Sequence, residues 1–461
     1  MSRPEFLSSL DASFLHLEND TQQMHVGSLL LLEGPVPDYS EFGEHIASRL
    51  DGVPRYRQRI ARLPFDLARP YWVDDPHFSL SYHLRHTAIP SPGGEEQLRT
   101  LAGRIMSQRL DLDRPLWEIW LVEGLPADRW AVLSKVHHAM IDGVAGHDVL
   151  EVLLDRTADA GRASAGSWSP RPGPSKADLM GAGVAWAARL PGGARRAASL
   201  AAAAPAEALR GTTERVVGLA RVGRQAATPT SVLNGPLGPH RRWSWARADL
   251  AQVKAVKNAA GCTINDVVLA GIAGGFRQYL MERGESVDDD LVRSLVPVSV
   301  RRQDQRGQLG NQVTAMFADL PVGVEDPWER LGAVAQQMSF LKGSGMAVGV
   351  QSMLAVADFV PPTLMTLGAR VATTVGQRVV NTVTTNIPGP QYPLFMLGRR
   401  MLEMFPYIPI GQGIRISIGI VSYDGRLTIG ATGDFDAVPD LDVLSGAIEA
   451  SLKELVAAAS P

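Results

Sequence analysis

Between about Thr157 and Pro239 the chain changes character, and that break limits what it can fold into. The stretch is rich in Ala, Gly, Pro and Ser and has few aromatics. On either side of it, apolar runs of strand length alternate with helix-period segments, punctuated by Gly and Pro. A chain of 461 residues exceeds what one ordinary core holds. The break therefore reads as a crossover joining two separately cored halves. The expected division is residues 1–160, a crossover over 161–240, and residues 241–461. Both halves mix strands and helices, so the fold class is α/β, and no internal repeat is visible.

In the first half, Met24 to Glu33 is strand-like and ends at Gly34-Pro35, and Glu41 to Leu50 has a helical pattern. Trp117 to Val122 and Trp130 to Val136 are two strand-length runs separated by Gly124 to Asp128. A helical pattern resumes after Gly143. In the second half, Ala251 to Ala260 is expected to be a helix stopped by Gly261, and Thr263 to Glu282 a second one. Leu291 to Val300, Gln312 to Val322 and Val379 to Ile387 read as strands, and Trp328 to Lys342 as a helix. Ile414 to Tyr423 and Arg426 to Asp434 flank Asp424-Gly425, a strong hairpin signal. A helix from about Asp440 to Ala458 closes the chain.

Apolar residues make up 45% and charged residues 20%, the balance of a globular protein. The 45 basic and 48 acidic side chains leave a net charge of -3, a poor match to nucleic acid. The single cysteine, Cys262, excludes an internal disulfide and suits a reducing cytoplasm. Glu5, Asp11, Glu18 and Asp20 are out of place in a secretory signal, and no run of 18 uncharged apolar residues offers a membrane span. Contact with a membrane is expected only from its surface. The crossover carries seven Arg and two Glu between Arg189 and Arg224. It reads either as a basic amphipathic helix lying on an anionic surface or as a solvated connecting helix.

The most informative segment is Lys135-Val136-His137-His138-Ala139-Met140-Ile141-Asp142-Gly143. It follows an apolar strand and precedes a helix, a placement that exposes a side chain at a strand end. A neutral histidine there suits a reaction that needs one base near pH 7. Asp142, four residues past His138, is placed to orient the loop by pairing with an arginine, and Gly143 permits a tight turn into the helix. Two satisfied structural histidines fit the spacing too. Metal ligation fits less well, because strand neighbours point to opposite faces and no Cys/His cluster or HExxH accompanies them.

HHAMIDG matches the HHxxxDG motif of the superfamily that includes chloramphenicol acetyltransferase, peptide-synthetase condensation domains and plant acyltransferases. More specifically, the chain resembles the bacterial wax ester synthase/diacylglycerol acyltransferase family. The resemblance also rests on LSSLDASFLHLEND at the start, PLWE at Pro115 to Glu118, NDVVLA at Asn265 to Ala270 and TTNIPGP at Thr384 to Pro390. It implies two chloramphenicol acetyltransferase-like mixed-sheet domains with the active site in a tunnel between them. It also implies His138 as the base, with His137 shaping the site and Asp142 structural.

The reaction so implied is direct transfer of a fatty acyl group from acyl-CoA to a long-chain alcohol or diacylglycerol, with no cofactor and no metal. No GxSxG elbow suggests an acyl-enzyme. Asn265 is a candidate oxyanion donor, though Thr263-x-x-Asp266 also resembles a capping box in which Asp266 is structural. Thr384 and Asn386 are candidates for substrate contact or for satisfying the Pro-Gly-Pro turn. Pro115, Leu116 and Trp117 support the acyl tunnel or simply pack the core, and Arg301 is a candidate partner for Asp142. The expected location is cytoplasmic, at the inner face of the cell membrane or on lipid droplets. Two other functions compete: a condensation-type transferase fed by a carrier protein, and a catalytically silent lipid-surface binding protein.

Overall fold

The computed structural model of the protein describes residues 5–62, 69–143, 153–161, 166–175, 178–179, 181, 232–287, 292–299, 313–343, 380–411 and 413–459, with backbone alone at 141–143, 298–299, 313–315 and 342–343. The Arg189–Arg224 segment and Arg301 lie outside these residues, as do all but the first residue of the uncharged Gly343–Ala357 segment and the whole Phe359–Met365 stretch, both candidate tunnel material by their sequence.

The N-terminal half starts with β1 (Glu5–Phe6) and α1 (Ser9–Leu17). Ser8 caps α1 by accepting from the Asp11 amide, and the chain turns extended at Glu18. Then follow β2 (His25–Glu33), α2 (Tyr39–Arg49), β3 (Gln58–Ala61), β4 (Tyr71–Asp74), α3 (Leu80–His83), β5 (Leu84–Ala88) and α4 (Glu95–Ser107). β6 (Trp117–Leu125) and β7 (Arg129–His137) form the expected hairpin, turned by Gly124, Ala127 and Asp128 at positive φ.

The C-terminal half contributes β8 (Arg241–Asp249), α5 (Leu250–Ala260), α6 (Ile264–Glu282), β9 (Val292–Ser299), β10 (Val313–Leu320) and α7 (Pro327–Gly343). It continues with β11 (Thr382–Pro388), β12 (Phe395–Met396), β13 (Arg399–Tyr407), β14 (Ile416–Tyr423), β15 (Arg426–Asp434) and α8 (Leu441–Ala459). Gly261 takes a left-handed conformation at the end of α5. Asp424 and Gly425 both have positive φ in the β14–β15 turn, as the dipeptide predicts.

A small sheet pairs β1, β4 and β3. Two six-stranded sheets carry the rest, in the orders β12–β13–β2–β7–β6–β5 and β10–β9–β11–β14–β15–β8. The strand order departs from a clean division at residue 241. Residues 395–407 of the second half leave it and pair with β2 in the first sheet. Sequence periodicity identifies such a strand without telling which sheet it joins, because pairing is decided by long-range register.

Each large sheet has its own core, one around Trp117, Trp130, Phe42 and Leu121, the other around α6, α8 and the isoleucines of β14. A third cluster joins the halves: Leu98, Ile105 and Met106 of α4 pack with Trp243 and Trp245 of β8 and with Phe405 and Tyr407 of β13. Trp245 stacks on Phe405 at 4.6 Å, and Trp243 meets Tyr407 edge-on at 5.3 Å. Arg247 grips Glu403 through two bonds of 2.8 and 3.0 Å and also reaches Glu95.

Backbone proximity makes this junction sensitive to one methyl group. A Cβ on Gly430 would overlap the Pro406 carbonyl oxygen where β13 crosses β15. Gly430→Ala is expected to cost about 1–3 kcal/mol by overpacking, read as a lowered urea midpoint. An unchanged midpoint would mean that the two sheets separate freely there.

Candidate active site

β2 and β7 pair antiparallel with His25 directly opposite His137. Both rings are fully buried, with centroids 6.2 Å apart. The chain then leaves β7 through a 3-10 turn, His138–Gly143. Two backbone bonds fix this exit: the His137 N–H donates to Leu116 O at 2.9 Å, and the His138 N–H donates to Met24 O at 2.8 Å. His138 is half-buried, unlike its sealed neighbour. Of the two motif histidines, it is the one that keeps some solvent exposure.

The Ala139 N–H donates to His137 Nδ1 at 3.1 Å. An accepting Nδ1 carries no proton, so the ring proton of neutral His137 sits on Nε2. That edge faces Glu18, whose carboxylate lies 3.7 Å from His137 Nε2 and 3.5 Å from His25 Nε2. Glu18 is nearly fully buried at the end of α1. Burial would raise its carboxyl, but the two facing imidazoles outweigh that and hold it below the ordinary carboxylate range. Burial pushes His25 down to about 4, against the pull of Glu18. Four residues earlier on α1, Phe14 lies against His138 with ring centroids 3.9 Å apart.

The Pro115-Leu116-Trp117 segment supports this strand end from the other side. All three residues are buried. The Leu116 carbonyl holds the His137 amide, and the Trp117 indole donates to Tyr56 O at 2.8 Å. His83 stacks on Trp117 at 4.5 Å and donates from Nδ1 to its carbonyl at 2.9 Å. Lys135 is buried two residues before His137. Its ammonium caps the end of α4 by donating to the carbonyls of Ile105 and Gln108. Burial lowers its pKa to about 8.

The second-half candidates lie at the start of α6 and on β11. Thr263 and Asp266 make a reciprocal capping box, with bonds of 2.9 and 3.3 Å, so Asp266 is occupied in starting α6. Asn265 lies between them in the first turn, half-buried. The Asn386 side-chain amide donates to its Oδ1 at 3.3 Å. Thr384 is buried within the sheet, where its hydroxyl accepts from Ser294 at 2.8 Å. The structure thus brings Asn265 and Asn386 together and sets Thr384 apart from them. Asp142 has no described side chain and Arg301 is outside the described residues, so the expected pairing of the two lies there as well.

Sequence reasoning took the opening LSSLDASFLHLEND only as a family signature and passed over Phe14, Glu18 and His25. One local signal existed: Phe14 and Glu18 are spaced by four at the end of a helical pattern. Nothing local links either to His137. Among the described residues no group of three or more His, Cys, Asp or Glu is arranged to hold a metal. A cavity of about 630 Å3 between β8, β15 and α8 is lined by Arg247, Glu403, Arg426 and Lys453 and contains none of the motif residues.

Comparison with known proteins bears on this arrangement. Residues 7–268 match the family model described as wax ester synthase/diacylglycerol acyltransferase catalytic domain, and residues 309–456 match the corresponding C-terminal domain. A probable diacylglycerol O-acyltransferase of Mycobacterium tuberculosis is 37% identical over 98% of this chain and 96% of its own. A putative one from the same organism is 36% identical over 98% and 90%. The solved wax ester synthase/diacylglycerol acyltransferase of Marinobacter aquaeolei superposes with a TM-score of 0.71 at 25% identity, covering 98% of this chain and 99% of that one. The first condensation domain of the calcium-dependent antibiotic synthetase shares the fold, with a TM-score of 0.59 at 19% identity over 99% and 97% of the two chains.

The buried histidines set an acid limit on stability. Burial holds both His25 and His83 near pKa 4, against an ordinary value of 6.5. The unfolded chain therefore binds more protons between these values. Their contribution is complete above about pH 6.5 and is lost as pH falls through 4. The urea midpoint is expected to decline across that window, with a shallower slope in His83→Asn. A flat wild-type profile from pH 6.5 to 4 would contradict the neutral, buried state of these rings.

Proposed function

The chain belongs to the wax ester synthase/diacylglycerol acyltransferase family, and from that premise we propose that it uses His138 as the base in transferring a fatty acyl group from acyl-CoA to an alcohol. It is an O-acyltransferase whose products are triacylglycerol, wax esters or both. The observation that carries the histidine reading is the contrast between the two motif rings. His137 is sealed, with its Nδ1 accepting an amide and its Nε2 3.7 Å from the Glu18 carboxylate, while His138 stands half-buried at the strand exit with its backbone pinned.

The hydroxyl of diacylglycerol or a long-chain alcohol binds beside His138, which accepts its proton as the oxygen attacks the thioester carbon. The carbonyl oxygen becomes an oxyanion in the tetrahedral intermediate. The C–S bond then breaks, and the protonated His138 returns the proton to the leaving CoA thiolate. No acyl-enzyme and no cofactor enter this scheme. Asn265 is the proposed oxyanion donor. Its Oδ1 is used by Asn386, which leaves its amide N–H groups for a ligand, and it sits in the first turn of a helix where the dipole favours negative charge. Acyl chains contribute about 0.8 kcal/mol per buried CH2, which suits long-chain substrates to an apolar tunnel.

Among the described residues no single helix is long and apolar enough to cross a membrane. The pair α5 and α6 passes that test only together, with a bend of 102°. Access to a lipid acceptor is therefore proposed from the cytoplasmic face of the membrane or from a lipid droplet.

Purified protein is expected to release CoA from a long-chain acyl-CoA only when diacylglycerol or hexadecanol is present. His138→Ala, with unchanged circular dichroism, should lose at least about 100-fold in kcat. Full activity in that variant would remove His138 from the base role, and activity confined to acyl groups on a carrier protein would favour the condensation-type alternative. Asn265→Ala should lower kcat by about 10- to 100-fold with little change in KM, the pattern of an interaction made in the transition state.

A further inference from the structure

A buried carboxylate that the proposed chemistry does not use lies against the motif. We propose that Glu18 is a positioning residue for the acyl transfer: it fixes the tautomer of His137, and through the Ala139 amide it fixes the turn that presents His138. This inference rests on the base reading of His138.

Three observations carry it. First, the C-terminal end of α1 touches both motif histidines. Phe14 covers His138 at 3.9 Å, and Glu18, four residues on, faces His137 at 3.7 Å. Second, the Glu18 carboxylate sits between two buried rings held opposite each other by strand register, His25 and His137. Burying a carboxylate is costly unless it is matched, so the site favours both rings turning an Nε2–H toward it. Third, the far edge of His137 is an acceptor. Its Nδ1 takes the Ala139 N–H at 3.1 Å, an amide one residue into the turn that begins at His138. A proton on Nδ1 would break that bond. A negative charge at the Nε2 edge keeps the proton there, and the turn stays closed.

Among the described residues, two other charges act on Glu18. Arg109 approaches from the end of α4 at 3.7 Å but is 40% exposed and also engages Asp20. Lys135, buried on β7, acts on Glu18 and His25 over longer range. Neither supplies the directional acceptor that two Nε2–H groups require.

Glutamine tests this closely. It keeps the shape of glutamate but offers one carbonyl oxygen to two imidazole donors, and its NH2 group faces the other. Glu18→Gln should lower kcat by about 10- to 100-fold, the scale of lost orienting partners, with KM for acyl-CoA and acceptor unchanged within about twofold. A partly inactive preparation would also lower apparent kcat alone, so unchanged circular dichroism and the tautomer readout separate positioning from misfolding. Selective 15N-histidine labelling reads the tautomer itself. Wild-type His137, assigned by comparison with His137→Asn, should show a protonated Nε2 and an unprotonated Nδ1 near pH 7, and Glu18→Gln should show mixed forms.

Wild-type kcat in Glu18→Gln beside an inactive His138→Ala would overturn the inference and leave the base reading standing. Activity in His138→Ala would remove the base reading and this inference with it. If Glu18→Gln does not fold, the wild-type spectrum decides: a proton on Nδ1 of His137 sinks the proposal, and a proton on Nε2 supports it.

Discussion

The antiparallel pairing of β2 with β7 sets the position of everything chemical in the first half. Its register places His25 across from His137, and its end releases His138 into a turn. A shift of one residue would send His137 to the other face of the sheet. That register is held by apolar partners further along, Leu29 with Leu133 and Leu32 with Trp130, all buried. The geometry of a polar site is thus fixed by packing several residues away from it.

Around that strand end the protein tolerates an unusual density of buried polar groups. Glu18, His25, His137 and Lys135 are all sealed from solvent. Each has a local reason to be there: Lys135 closes the end of α4, Glu18 faces two imidazoles, and His137 holds a backbone amide. Such groups stabilise less than an apolar core would, but they specify one arrangement of the turn. The half-buried ring at the end of the series, His138, inherits that precision without contributing to it.

The two halves cannot be treated as independent. β13 belongs by sequence to the second half and by pairing to the first, and the aromatic contacts of Trp243 and Trp245 with Tyr407 and Phe405 lie along its length. Arg241 adds polar ties, donating to Thr21 O near the end of α1 and to the carbonyls of Gly238 and His240. The two halves are held in register with each other by these contacts.

Much of this was legible in the residues. The two mixed halves, the β6–β7 and β14–β15 hairpins, the Gly261 stop and the Thr263–Asp266 capping box depend on local propensity and short spacing, which sequence records directly. The HHxxxDG segment and its companions identified the family because they are ordered along the chain. Which sheet β13 enters, why Pro115-Leu116-Trp117 matters to His137, and how Phe14 and Glu18 come to lie on the motif were decided only by tertiary structure. Each depends on strand register or helix docking between residues tens to hundreds of positions apart, and no local pattern encodes the partner of a buried carboxylate.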